Sequence, residues 1–335
     1  MCSSDLFGRY RRRVIERSEE GTGPAAAADG TPPGWAPPPP PWAPGSPLPP
    51  APPSAADPSA AEVAAGPAHH GPDVSLNRQL ATGGSPSTRG SAWVWVLFAA
   101  LGFLAGQVLA ALFITAIAAV NGHLGSLTAI THLTEPPTWY VVSSLLGLWA
   151  GFFGGAWLAS AVRGTKSLVR DMGLRFRWID LIGIPIGIGG QFLVGLMYLP
   201  IAQHVHNFNQ RFNAPSQRLT GGSHGVGYVV IGICTVVGAP FFEELFFRGL
   251  ILRSLARLFG DLGRWVGPAL AIIVSGVLFG LAHAESLQLL GLATFGIILS
   301  FVSYRTGRLG MDMVAHASFN LVAVAAVVEI GRAHV

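Results

Sequence analysis

Between residues 92 and 330 the chain is a succession of apolar blocks, each about as long as a lipid bilayer is thick. Inside hydrocarbon every backbone amide and carbonyl needs a partner within the fold, so blocks of about 20 apolar residues form membrane-spanning helices. Seven blocks fit this description: 92–120, 139–162, 181–201, 226–247, 265–283, 287–304 and 309–330. An eighth, re-entrant or interfacial helix near 248–262 is compatible with the pattern. Only 11% of the 335 residues are charged, against about 25% in soluble domains, and mean hydropathy is +0.49. The expected fold is therefore an all-α polytopic membrane protein, a bundle of about seven (or eight) transmembrane helices spanning 91–330.

The loops set an expected orientation. Arg163, Lys166, Arg170, Arg175 and Arg177, then Arg253, Arg257 and Arg264, then Arg305 and Arg308 fall in alternate connections. The intervening loops at 121–138 and 284–286 carry no Lys or Arg, and the intervening loop at 202–225 carries Arg211 and Arg218. By the positive-inside rule the Arg-rich side is cytoplasmic, which places the N-terminal tail inside a multi-pass cell-membrane protein. The net charge of +4 resides mainly in these arginines. No basic patch interleaved with aromatics points to nucleic acid. Cys2 and Cys234 are too few and too differently placed for a disulfide framework.

Residues 1–90 read as a separate, disordered cytoplasmic tail. A basic cluster (Arg9, Arg11, Arg12, Arg13, Arg17) leads into a Pro/Ala/Gly tract at 31–53 that includes five consecutive prolines, Pro37–Pro41. Such a composition cannot bury enough apolar surface to offset its ordering entropy. It reads first as a solvated tether. Its prolines could also dock an SH3-like partner, and its arginines an anionic membrane. In the early spans, Gly102-x-x-x-Gly106 and Gly147-x-x-x-Gly151, continued to Gly155, let helix backbones approach closely, for bundle packing first and dimerisation second. Pro185 implies a kink in the third span.

Three fragments place ionisable residues inside these blocks: Glu243-Glu244-Leu-Phe-Phe-Arg248, Phe279-Gly-Leu-Ala-His283 and His316-Ala-Ser-Phe-Asn320. A charge in a membrane helix costs about 2.5–3.5 kcal/mol on insertion scales and marks function by default. At 100° per residue Arg248 lies about 40° from Glu244 and about 140° from Glu243. Glu244 and Arg248 thus pair as an internal ion pair. Glu243, left without a local counter-charge, suits a general base. Phe279 and His283, and likewise His316 and Asn320, share helix faces at i,i+4. An imidazole and a carboxamide on one face can ligate a metal or donate hydrogen bonds to an oxyanion. By the span boundaries Glu243 and His316 lie toward the inner half and His283 at the outer end of its span. A common site then requires the fourth helix to run past residue 250, or the fifth to begin deeper.

The ordered set Glu-Glu-x-x-x-Arg, Phe-x-x-x-His, His-x-x-x-Asn resembles the signature of the CPBP family, the CAAX-protease and bacteriocin-processing (Abi) membrane peptidases, over about 140–330. The resemblance implies an intramembrane endopeptidase working near the cytoplasmic face. In it Glu243 activates the attacking water, and His283 assists as metal ligand or second base. His316 and Asn320 bind a metal or stabilise the oxyanion, and Glu244 and Arg248, with Phe279, hold the site in shape. A divalent metal, zinc first, would be held by Glu243, His283 and His316; members are described both with and without an obligatory metal. The implied partners are the bilayer and a membrane-associated peptide or protein substrate. Two rival functions are a non-catalytic scaffold or bacteriocin self-immunity protein of the same fold, and a transporter whose buried ionisable residues relay protons. The inverted repeats expected of many transporters are not evident.

Overall fold

The computed structural model describes residues 88–220 and 223–333. All belong to the second of two units into which the chain divides, His70–Val335. The tail reading for 1–90 and its partner-docking prolines lie outside the described residues, apart from the last three positions, 88–90, which begin a helix.

Within the described residues the secondary structure is entirely helical. Eight helices carry the fold: α1 (Thr88–Val120), α2 (Thr138–Arg163), α3 (Trp178–Ala202), α4 (Phe208–Thr220), α5 (Val226–Leu258), α6 (Val266–Ala282), α7 (Leu289–Thr306) and α8 (Gly310–Ala333). Seven coincide with the seven expected spans. Five of these (α1, α2, α3, α5 and α7) are long and apolar enough to cross a membrane, and α6 and the Gly310–Ala326 part of α8 are shorter apolar helices. The chain is an all-α polytopic membrane protein.

Two expectations change. The segment near 248–262 is no separate helix: α5 continues without a break to Leu258, because no Pro or helix-ending Gly interrupts Leu250–Leu258. Residues 202–225 are not simply loop, since α4 occupies most of them. α4 is markedly amphipathic, with Phe208 and Phe212 at i,i+4 on one side and Asn, Gln and Arg around the rest. Its aromatic side packs against Tyr198 of α3, with ring centroids 6.0 and 4.8 Å away.

Lipid-facing helices gain little from the hydrophobic effect between them, so they associate by close packing. α1 and α2 do this through the glycines singled out in the sequence. A Cβ on Gly147 would lie 2.3 Å from the Ala110 backbone, and one on Gly151 2.2 Å from Gly106. The glycine patterns therefore serve packing inside the bundle. Pro185 produces no mid-span kink. It sits in the first turn after a 3₁₀ start (Trp178–Ile182), where its missing N–H costs least.

The end of the bundle where α2, α5 and α7 finish and α3, α6 and α8 begin is Arg-rich and tightly tied. Arg308 pairs with the buried Asp180 at 2.7 Å, joining the α7–α8 turn to the start of α3. Arg253 donates to the Gly307 carbonyl at 2.8 Å. Asp171 accepts from the Ser160 hydroxyl at 2.6 Å and from both the amide and hydroxyl of Thr165. Several arginines legible as topology signals are thus structural bonds: Arg253 and Arg308 are buried.

Candidate active site

The site is assembled around the middle of α5. Glu244 is fully buried, and its Oε1 accepts two charged hydrogen bonds: from Arg248 Nη1 at 2.8 Å, and from His316 Nδ1 on α8 at 2.7 Å. The second of these is purely tertiary, between residues 72 apart in sequence. Arg248 is also fully buried. Its Nη2 donates to the Gly296 carbonyl of α7 at 3.0 Å, and its guanidinium lies 4.5 Å above the Phe279 ring of α6. A buried ion pair persists only if its remaining polar atoms and faces are matched. Here α6, α7 and α8 each supply part of the match, while Glu244 Oε2 and Arg248 Nε make no hydrogen bond among the described residues.

Glu243 points the other way. Its side chain is 14% exposed, and Oε2 lies 3.9 Å from His316 Nε2. That oxygen makes no hydrogen bond among the described residues. With Nδ1–H given to Glu244, the His316 tautomer is set and Nε2 faces Glu243. Phe279 and Phe295 stand edge-on to the imidazole at 5.6 and 6.0 Å and keep the ring from rotating.

Two π-helical stretches in α5 explain this geometry. π turns carry an extra residue and concentrate at functional sites. In Cys234–Gly238 the Ala239 amide bonds to the Cys234 carbonyl. The Thr235 carbonyl would next be met by residue 240, but Pro240 has no N–H. Asn320 Nδ2 of α8 takes that orphaned carbonyl at 2.8 Å. The third fragment is therefore clamped to α5 at both ends, His316 to Glu244 and Asn320 to Thr235. The second π stretch, Leu245–Leu252, starts directly after Glu244 and contains Arg248.

Glu243, His283, His316 and Asn320 all line one cavity of ≈ 1540 Å³. This removes the depth conflict raised by the span boundaries, because α5 runs on to Leu258 and Glu243 lies mid-helix. The cavity reaches the end of the bundle that holds residues 130–136, α4 and Glu285, opposite the Arg-rich end. α4 covers this mouth. Gln288 donates to the Phe212 carbonyl at 2.7 Å, Arg218 pairs with Glu285 at 3.1 Å, and Thr138 meets Ser223 at 2.8 Å.

His283 joins the cavity but not the cluster. It caps the C-terminus of α6, with Nδ1 donating to the Phe279 carbonyl at 2.8 Å, so Nε2 is its free acceptor. Phe279 separates the two imidazoles, 4.8 Å from His283 and 5.6 Å from His316. Of the three residues expected to hold a metal, Glu243 and His316 face each other and His283 stands beyond the Phe279 ring. Among the described residues no three His, Cys, Asp or Glu are gathered closely enough to hold a metal ion. The donor set is thus a pair rather than the three-ligand arrangement of a catalytic zinc site.

One ionisable neighbour escaped the motif reading. Asp312, one turn before His316 on α8, is fully buried and lies within electrostatic reach of Glu244 and Arg248. The available signal was its i,i+4 spacing from His316 inside an apolar block. Cys234, a free thiol, also lines the cavity.

Residues 225–322, which contain all three motifs, match the family model described as type II CAAX prenyl endopeptidase Rce1-like. The matched segment is shorter than the 140–330 core expected from the motifs. Among curated proteins, "Putative membrane peptidase YdiL" of Bacillus subtilis is 32% identical over 92 residues, covering 28% of this chain and 34% of the relative. "Uncharacterized protein YyaK" of the same organism is 29% identical over 87 residues, 24% of this chain and 27% of the relative. The chain therefore spans about a third or less of the length of the curated relatives it matches. No solved structure matches. In residues 225–322, the segment that builds the Glu243–His316 site, the chain is similar to the Rce1-like type II CAAX prenyl endopeptidases.

Proposed function

We propose that this chain is an intramembrane endopeptidase that hydrolyses a peptide bond in a membrane-associated peptide or protein. The observation that carries the reading is the pair at the cavity floor, Glu243 Oε2 and His316 Nε2 at 3.9 Å. A water about 2.8 Å from each would bridge that gap. Glu243 takes its proton as general base, and the hydroxide attacks the scissile carbonyl carbon. Asn320 has one amide hydrogen on Thr235 and a second to offer the oxyanion. The C–N bond then breaks, and the proton held by Glu243 passes to the leaving amine, with His316 Nε2 beside it as relay. Glu244 and Arg248 act by holding His316. His283, on the far side of Phe279, offers Nε2 to the substrate or to a departing proton.

The cavity exceeds the roughly 300–1,000 Å³ of small-ligand pockets, as a peptide substrate requires. The loop arginines favour a cytoplasmic Arg-rich end and tail, which turns the mouth under α4 toward the opposite side and moves substrate entry away from the cytoplasmic face expected from the sequence. The test compares peptide termini in membranes of cells expressing wild type or Glu243→Ala at matched protein levels. Termini present only with wild type establish the peptidase and identify its substrate. Identical termini sink the reading. With a substrate in hand, a rate unaffected by chelators fits the two-residue mechanism. A chelator-sensitive rate restored by zinc would require a third ligand at Glu243 and His316.

A further inference from the structure

Two buried side-chain oxygens of the residues lining the cavity make no hydrogen bond among the described residues: Glu243 Oε2 and Gln191 Oε1. The first belongs to the general base. The second lies on α3, and the mechanism leaves it unused. Between Gly183 and Ala202 only Gln191 and Tyr198 carry polar side-chain atoms. Tyr198 is satisfied: its hydroxyl donates to the Leu287 carbonyl at 2.7 Å and accepts from the Gly291 amide at 3.0 Å. Polar side chains in membrane helices ordinarily bond to a neighbouring helix in this way. A buried acceptor left without a partner costs about 1–3 kcal/mol. For the fold alone, an apolar side chain of the same length serves position 191 as well or better.

The depth of Gln191 follows from how α3 packs on α8. A Cβ on Gly183 would run into the backbone of Met311 and Ala315, and one on Gly187 into that of Ala315 and Phe319. Four residues along α3 thus match four along α8, and both helices start at the Arg-rich end. The next step of four reaches Gln191, level with Phe319 and Ala323. That is the depth of Asn320, about 6 Å nearer the mouth than His316. Gln191, Val194 and Tyr198, at i, i+3 and i+7, put one face of α3 on the cavity. An extended peptide rises about 3.3 Å per residue. One with its scissile carbonyl at Glu243 and His316, running toward the mouth, passes the level of Gln191 about two residues from that bond. A peptide in a cavity walled by Val194, Phe295 and Phe319 brings main-chain N–H groups that have left water and need acceptors. Gln191 Oε1 is an acceptor that needs a donor.

We infer that Gln191 is a substrate-binding residue, whose Oε1 accepts a hydrogen bond from a main-chain N–H of an extended peptide about two residues on the mouth side of the scissile bond. This rests on the peptidase reading, and the experiment separates the two. Gln191→Met, which keeps an unbranched side chain and removes the amide, is introduced into the full chain. It is purified in detergent for melting and reconstituted for kinetics on a synthetic peptide of the substrate identified with Glu243→Ala. The inference expects a melting temperature equal to or above wild type. It expects KM raised about 2–10-fold, the worth of one neutral hydrogen bond, with kcat within about twofold. A second series replaces single backbone amides of the peptide by esters, which lack the N–H. At one position, about two residues from the scissile bond, the ester should raise KM for wild type and make Gln191→Met cost nothing further, because both changes remove the same bond.

A residue that only supports the fold would lower melting temperature, or block accumulation, in the Met variant, and that result overturns the inference. Wild-type KM in Gln191→Met, with Glu243→Ala inactive, overturns it while leaving the peptidase intact. A raised KM that persists undiminished at every ester position also overturns it, since Gln191 then acts on something other than a main-chain N–H. Unchanged termini in Glu243→Ala remove the peptidase reading and this inference with it.

Discussion

Among the described residues, two Arg–Glu pairs have nearly equal length and opposite character. Glu244–Arg248 is 2.8 Å long with both side chains fully buried. Arg218–Glu285 is 3.1 Å long with side chains 50% and 26% exposed. The first lies below the cavity floor and is locked by Gly296, Phe279 and His316. The second joins α4 to the turn before α7 at the cavity mouth, where water competes for both partners. Distance alone would rate them alike. Burial decides that the inner pair is a structural commitment and the outer pair a weak clasp.

The comparison breaks most sharply at Arg248. Arg248→Ala leaves Glu244 as a buried charge whose remaining partner is a neutral or competing imidazole, and should cost about 3–5 kcal/mol. A large drop in melting temperature in detergent, or loss of folded protein, is the expected result. A melting temperature within a degree of wild type would mean that the inner pair is no tighter than the outer one.

Asn320→Ala probes the second clamp between α8 and α5. It strands the Thr235 carbonyl, which Pro240 cannot serve, at a cost of about 1–3 kcal/mol. Hydrogen exchange of the Cys234–Gly238 stretch should rise while that of α1 and α2 stays unchanged. Equal protection in the variant would show that the carbonyl finds another donor.

The smallest effect belongs to the mouth. Arg218→Ala or Glu285→Ala should change stability by less than about 1 kcal/mol. Either change should speed modification of Cys234, inside the cavity, by a water-soluble thiol reagent in a Cys2→Ser background. The charge-swapped double variant Arg218→Glu/Glu285→Arg should restore slow labelling. Labelling indifferent to all three variants would mean that α4 is held by Phe208, Phe212 and the Gln288 bond alone.

Much of this division was legible beforehand. The apolar blocks located seven helices, six of them to within a few residues at both ends, since hydrocarbon leaves so little choice of backbone structure. The i,i+4 spacing of Glu244 and Arg248 predicted their bond, because a helix fixes that geometry locally. The boundary of the fourth span was misjudged for a related reason. Hydropathy falls at Arg248 and Arg253, yet both are buried and hydrogen-bonded, so α5 continues where a count of charges sees an end. α4 was missed because a short amphipathic helix on a membrane protein resembles a polar loop in hydropathy. Asp312 was missed because its partners lie on other helices.

The sequence by itself determined that the chain is a helical membrane bundle, which fragments place ionisable residues inside it, and that Glu243 and Glu244 project from different sides of one helix. These are properties of solvent and of spacing along one helix. Only the tertiary structure decided that His316 bonds to Glu244 and faces Glu243, that Asn320 serves a carbonyl left open by Pro240, and that Phe279 keeps His283 apart from His316. It also decided that Asp312 is buried within electrostatic reach of Glu244 and Arg248. Each of these depends on the relative rotation and depth of α5, α6, α7 and α8, which is set by how their surfaces pack and leaves no mark in the spacing along any one of them.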